Sequence, residues 1–232
     1  MDCVVELTEL ENAEKVNYIP PMDAVLVVIV TVFITMFLGG ALYLLADTAV
    51  TLVIGEALIA VPPLAYMLYT RVNIAEYVGL KIGVRVILRG LVLALALLLL
   101  GLCISAVISV TLGESEAVEE STNLLRELGQ SPTGLLAAVT TCILAGVCEE
   151  FTFRGFLQKS ISSKYSPRLA MLASSVAFGL LHFDPQGVYI ILSFALGVAL
   201  SYAYHKWRSY TSNAIAHALY DLIALALALG FT

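Results

Sequence analysis

The sequence predicts an all-α membrane protein, a polytopic bundle of about seven transmembrane helices enclosing an intramembrane cavity. Three observations predict it. Apolar residues make up 60% of the 232-residue chain and charged ones only 13%, with mean hydropathy +0.94, whereas soluble domains average about 45–50% and about 25%. Seven segments approach the ~20 apolar residues needed to cross a bilayer. Basic residues cluster in alternate connections between those segments.

The chain opens on MDCVVELTELENAEK. This stretch is acidic and has no basic region, so it reads as a short extramembrane lead and not as a signal peptide. The first span is about Ala24–Ala46, bounded by Asp23 and Asp47. The second, about Val50–Tyr69, carries Glu56 and the Pro62–Pro63 pair. The third is about Ile87–Leu112 and the fourth about Thr133–Phe156. An acidic loop, Gly113–Gln130, separates them. The fifth is about Arg168–His182, the sixth about Val188–Tyr204 and the seventh about Ser212–Phe231. Residues 1–132 read as the lead and first three spans, and 133–232 as a core of four helices, in one continuous membrane domain.

The fifth span is short. LAMLASSVAFGLLH is 14 residues, ~21 Å of helix at 1.5 Å per residue, against a ~30 Å hydrocarbon core. Either ISSKYSP extends it, or it ends inside the membrane at His182, where only a protein-lined or wet cavity tolerates irregular backbone.

Orientation follows from charge. Eleven of the twelve Lys and Arg residues fall on one side if seven spans alternate, and Arg126 alone falls on the other. The positive-inside rule places the N-terminus in the cytoplasm and the C-terminus outside a cell membrane. No basic patch with interleaved aromatics occurs, so no nucleic-acid partner is expected. The four cysteines form no C-x-x-C spacing and read as small core residues.

Ionisable groups inside spans cost ~2.5–3.5 kcal/mol at a helix centre and need a reason. They are Glu56, Glu149, Glu150, Arg154, His182, His217 and Asp221. Each taken singly could be structural, as interhelical polar glue, an ion pair or a snorkelling side chain. Glu56 has no obvious partner and reads as lining a cavity or lying near a loop. His205, beside Lys206, Trp207 and Arg208, reads as part of an interfacial belt. Glu150 and Arg154 stand at i, i+4 and share a helix face. Glu149 points about 100° away, so one acid is tied down and its neighbour left free. Phe178 with His182, and His217 with Asp221, repeat the i, i+4 spacing on two further helices.

EEFTFR fits E-E-x-x-x-R, FGLLH fits F-x-x-x-H, and HALYD resembles H-x-x-x-N/D, in that order. The chain resembles the CPBP family of CAAX proteases and bacteriocin-processing enzymes, also called the Abi family, over about Thr133–Phe231. The resemblance implies a helical intramembrane endopeptidase acting on a membrane-associated peptide or a prenylated CAAX-type protein. It implies Glu149 as general base and His182 as a ligand of the attacking water. His217 and Asp221 would face the carbonyl, with Glu150, Arg154 and Phe178 in support. CAAX-type members usually carry Asn where Asp221 stands. Ionised Asp cannot donate to an oxyanion, so Asp221 would orient His217, stay protonated or bind a metal.

The cofactor expectation stays open between none and a divalent metal such as zinc. A metal would be held by Glu149, His182 and His217 without the H-E-x-x-H motif. The rival function is a non-catalytic bacteriocin self-immunity or scaffold protein that binds a peptide. Proton-coupled transport is weaker, since no two-fold repeat is evident.

Overall fold

The computed structural model describes residues 18–113 and 115–230. The N-terminal lead, with Cys3 and Lys15, lies outside the described residues. All regular structure among the described residues is helical: α1 Pro21–Leu45, α2 Thr48–Tyr69, α3 Ile74–Val78, α4 Val84–Leu112, α5 Glu116–Gly129 and α6 Pro132–Glu149. A π-helical segment Glu150–Gln158 follows, then α7 Lys159–Lys164, α8 Pro167–Leu181, α9 Val188–Trp207 and α10 Tyr210–Ala228.

Six described helices are long and apolar enough to span a bilayer, with α6, the π segment and α7 forming one rod, Pro132–Lys164. The expected count of seven is therefore not reached. ISSK belongs to that rod, and α8 begins only after Ser166, at Pro167. With 15 residues, α8 extends ~22 Å. The acidic loop also departs from expectation, since α5 lies within it, started by Ser115 Oγ accepting from Val118 N–H.

Local chemistry explains the starts and stops. Asp47 Oδ1 accepts from Ala49 N–H at 2.8 Å, and Ser131, Ser166 and Ser209 cap α6, α8 and α10 in the same way. Pro132 and Pro167 occupy first-turn positions whose N–H would be unpaired in any case. After His182 the chain turns back on Asp184, a buried carboxylate. Its oxygens accept from the backbone N–H groups of Gln186, Val188 and Tyr189 at 3.2, 3.1 and 2.8 Å. That turn fixes the start of α9.

Every residue from Cys148 to Gln158 is buried, although five of the eleven are polar or charged. Each of those five has a role in docking or in the cavity. Pro63 lacks the N–H that would bond the Ile59 carbonyl within α2, and Thr152 Oγ1 donates to that carbonyl at 2.8 Å. Gln158 Nε2 donates to the Ser201 carbonyl at 2.9 Å, and Ser174 Oγ donates to the Phe153 carbonyl at 2.8 Å. Arg154 is fully buried, so it does not snorkel.

Small residues let the helices close up. A Cβ on Gly146 would stand 2.6 Å from Ala218 N and 2.7 Å from the Ala214 carbonyl oxygen. That contact of α6 with α10 sets Glu149, one turn beyond Gly146, against His217. Cys148 is buried, Cys142 half-buried and Cys103 exposed on α4, so Cys103 is not the core residue expected.

Candidate active site

The carboxylate Glu150 sits at the centre of a buried clamp. Arg154 Nη1 donates to its Oε1 at 2.8 Å, and both side chains are fully buried. Asn213 Nδ2 donates to Oε2 at 3.0 Å and also to the Leu200 carbonyl at 2.8 Å. His217 Nδ1 donates to Oε1 at 3.1 Å. Arg154 Nη2 reaches the Gly197 carbonyl at 3.3 Å, and the guanidinium lies 4.3 Å from the Phe178 ring centre. A Cβ on Gly197 would press on Phe178 at 3.1 Å and on Arg154 Nη2 at 3.4 Å. Glycine there keeps the carbonyl open to the arginine.

Glu149 is placed differently. It is 3% exposed, yet its Oε2 has no hydrogen-bond partner among the described residues. Two imidazoles face it. His182 Nε2 lies 3.8 Å from Oε1, and His217 Nε2 lies 3.6 Å from Oε2. His182 stands just past the end of the short helix α8, which brings its ring to the depth of Glu149. His182 Nδ1 donates to the Phe178 carbonyl at 2.9 Å, which leaves Nε2 of the neutral ring as an acceptor toward Glu149. His217, with Nδ1 committed to Glu150, presents Nε2 to the cavity, 3.5 Å from Asp221 Oδ2. Phe178 packs between the rings, 4.8 Å from His182 and 5.7 Å from His217 by centroids.

Glu149, His182, His217 and Asp221 line a cavity of about 360 Å³. Glu56 lines it too, with an unpartnered buried Oε2, as do Cys142, Tyr189 and α5 residues Ser121, Thr122 and Leu125. A second chamber of about 260 Å³ shares His182, Tyr189, His217 and Asp221 and extends between Leu97, Leu196 and Leu200. Every sequence-predicted site residue is thus brought together. Sequence reasoning missed Asn213, four residues before His217 on the same face. It also missed Tyr189, which had no signal beyond following a buried Asp and a Gly.

Among the described residues, no group of three or more His, Cys, Asp or Glu is arranged to hold a metal ion. Of the expected set, His217 holds Nδ1 against Glu150 and keeps Nε2 available, the usual arrangement of a metal-ligating histidine. Two ligands at about 2.0–2.2 Å on one tetrahedral zinc stand about 3.3–3.6 Å apart; His217 Nε2 lies 3.6 Å from Glu149 and His182 Nε2 slightly farther, at 3.8 Å. Glu149, His182 and His217 are the residues that would hold such an ion.

The fold and site define a class: a multi-helix membrane protein with a buried Glu/Arg/His cluster. Residues 131–223 match the family described as Rce1-like, type II CAAX prenyl endopeptidase. That segment carries all three motifs. An uncharacterized protein of Mycoplasma capricolum subsp. capricolum is 31% identical over 97 residues, 40% of this chain and 27% of that protein. The chain thus spans about a quarter of the curated relative's length. No solved structure matches.

Proposed function

We propose that the chain is an intramembrane endopeptidase that hydrolyses a peptide bond of a membrane-associated substrate, with Glu149 as the general base. One observation carries the reading. A buried carboxylate with an unpartnered oxygen faces two imidazole Nε2 atoms across a cavity, at 3.8 and 3.6 Å. Separations of this size leave room for a bridging water.

A water between Glu149 Oε1 and His182 Nε2 donates one hydrogen to each. Its lone pair is then free for the carbonyl carbon. Glu149 takes the proton as the carbon–oxygen bond forms and passes it to the departing amine. His217, protonated at Nε2, donates to the developing oxyanion, while Glu150 holds Nδ1 and fixes the ring. Asp221, 3.5 Å from Nε2, orients that ring instead of donating itself. Glu150, Arg154, Asn213 and Phe178 keep the two imidazoles in place.

The reading sets the cavity within the bilayer and treats α1–α4 as a frame for a core of residues 133–232. It needs no metal. Purified protein in lipid vesicles, incubated with prenylated and unprenylated peptides with and without chelator, is assayed by mass spectrometry. The expected result is a defined cut in at least one peptide, undiminished by chelator. Peptide binding without any cleavage contradicts the reading.

A further inference from the structure

The two ends of the bundle differ in charge and in closure. Of the eleven described Lys and Arg residues, Arg154 is buried and Arg126 lies on α5. The other nine gather at the opposite end: Arg71 after α2, Lys81, Arg85 and Arg89 before or within the first turns of α4, and Lys159 and Lys164 on α7. Arg168 at the start of α8 and Lys206 and Arg208 at the end of α9 complete the set. Contacts tie this end together. Lys81 Nζ donates to the Trp207 carbonyl at 3.1 Å, and Arg89 lies 5.6 Å from the Trp207 ring centre. The α5 end carries Glu116, Glu119, Glu120 and Glu127, and Arg126 Nε donates to the Ala228 carbonyl at 3.1 Å.

The site is sealed on the basic side. Beneath Glu149 lie Glu150, Thr152, Arg154 and Gln158, all buried and hydrogen-bonded to neighbouring helices. Tyr204 Oη donates to the Val78 carbonyl at 3.1 Å, and Ser160 Oγ to the Ile19 carbonyl at 2.8 Å, closing the layer below. On the other side the cavity runs from Glu149 and His217 past Asp221, Ala224 and Leu225 to Ala228, with α5 along its rim. A further cavity of about 460 Å³, bounded by Ser109, Ser115, Glu119 and Tyr189, lies at that same end.

We infer that the site opens at the acidic, α5 end, which the positive-inside rule places on the non-cytoplasmic side of the membrane. Its substrate is then a peptide segment presented at the outer leaflet. A lipid-modified C-terminus made and kept in the cytoplasm meets the buried polar layer instead of Glu149. The orientation does not depend on whether α8 spans, because α8 starts and α9 ends at the basic end in either case. The inference rests on the peptidase reading for the word substrate, and on nothing but geometry and charge for the direction of access.

The test uses the full chain in its membrane. The natural cysteines are replaced by serine or alanine, and one new cysteine is introduced at a time. Ser121→Cys and Thr122→Cys report the rim, and Lys164→Cys reports the basic end. A membrane-impermeant maleimide is added to intact cells and to inverted vesicles. The rim cysteines should label at least tenfold faster in cells, and Lys164→Cys at least tenfold faster in inverted vesicles. Faster rim labelling in inverted vesicles, or both ends labelling from one side, overturns the inference. A water-soluble peptide should then be cut only when added to the outer face, and cutting only from the inner face also overturns it. Correct labelling with no cutting from either face leaves the opening in place and removes the peptidase reading instead.

Discussion

Helix α1 and the rod of α6, the π segment and α7 both pass as membrane spans, with 25 and 33 residues, yet they are built on opposite terms. Over its most apolar stretch α1 is 11% buried, and the rod 50%. Phe33, Met36, Phe37, Leu44 and Leu45 of α1 all face outward. An apolar side chain in lipid needs no partner, so α1 is held by few polar contacts, such as Tyr66 Oη donating to Asp23 Oδ2 at 2.6 Å. The rod is enclosed and carries charge, so nearly every polar atom in it must find a partner. Hydropathy therefore locates α1 best, and the buried exceptions locate the chemistry.

Substitutions can break this contrast. The largest effect is expected for Arg154→Met. It strands the Glu150 carboxylate in a fully buried site, and losing one partner of a buried pair costs about 3–5 kcal/mol. Thermal unfolding in detergent should show a collapsed transition, and an unchanged one would mean the clamp is not structural. Gly146→Leu comes next. Its side chain must force α6 from α10, at about 1–3 kcal/mol for overpacking. Peptidase activity should fall more than stability, because Glu149 moves away from His217. Asp221→Asn is milder. It keeps the shape beside His217 and supplies a donor, so the initial cleavage rate should stay within about tenfold, or about 1.4 kcal/mol of barrier. A loss of a thousandfold would make the Asp221 carboxylate itself essential. Phe37→Ala on the lipid face should shift stability by no more than about 0.5 kcal/mol. A larger loss there would show that α1 is packed against a partner.

Much of this was legible in the sequence because apolar length and motif spacing are local properties. The Glu150–Arg154 pair, the separation of Glu149 and the meeting of His182 with His217 all follow from i, i+4 faces and three ordered motifs. Other features depended on packing. The π segment widens the helix turn from Glu150 onward, which no hydrophobic period announces. The carbonyl freed by Pro63 and filled by Thr152 joins residues 93 apart in the chain is likewise a tertiary fact, with the bond spanning that separation. Helix α5 reads as an acidic loop because its apolar face is too slight to suggest a span. The fifth expected span falls short of a crossing length because α8 stops at Leu181, which leaves His182 beside Glu149.

The central claim is that the two adjacent acids are divided between chemistry and structure. It is tested most directly by comparing Glu149→Gln with Glu150→Gln for cleavage rate and thermal stability in the same vesicles. Glu149→Gln should retain the wild-type unfolding temperature and lose activity by about 10²–10⁴-fold, the usual worth of a general base. Glu150→Gln should lower the unfolding temperature as well as the rate. Undiminished cleavage by Glu149→Gln, or equal loss of stability in both variants, would contradict the account.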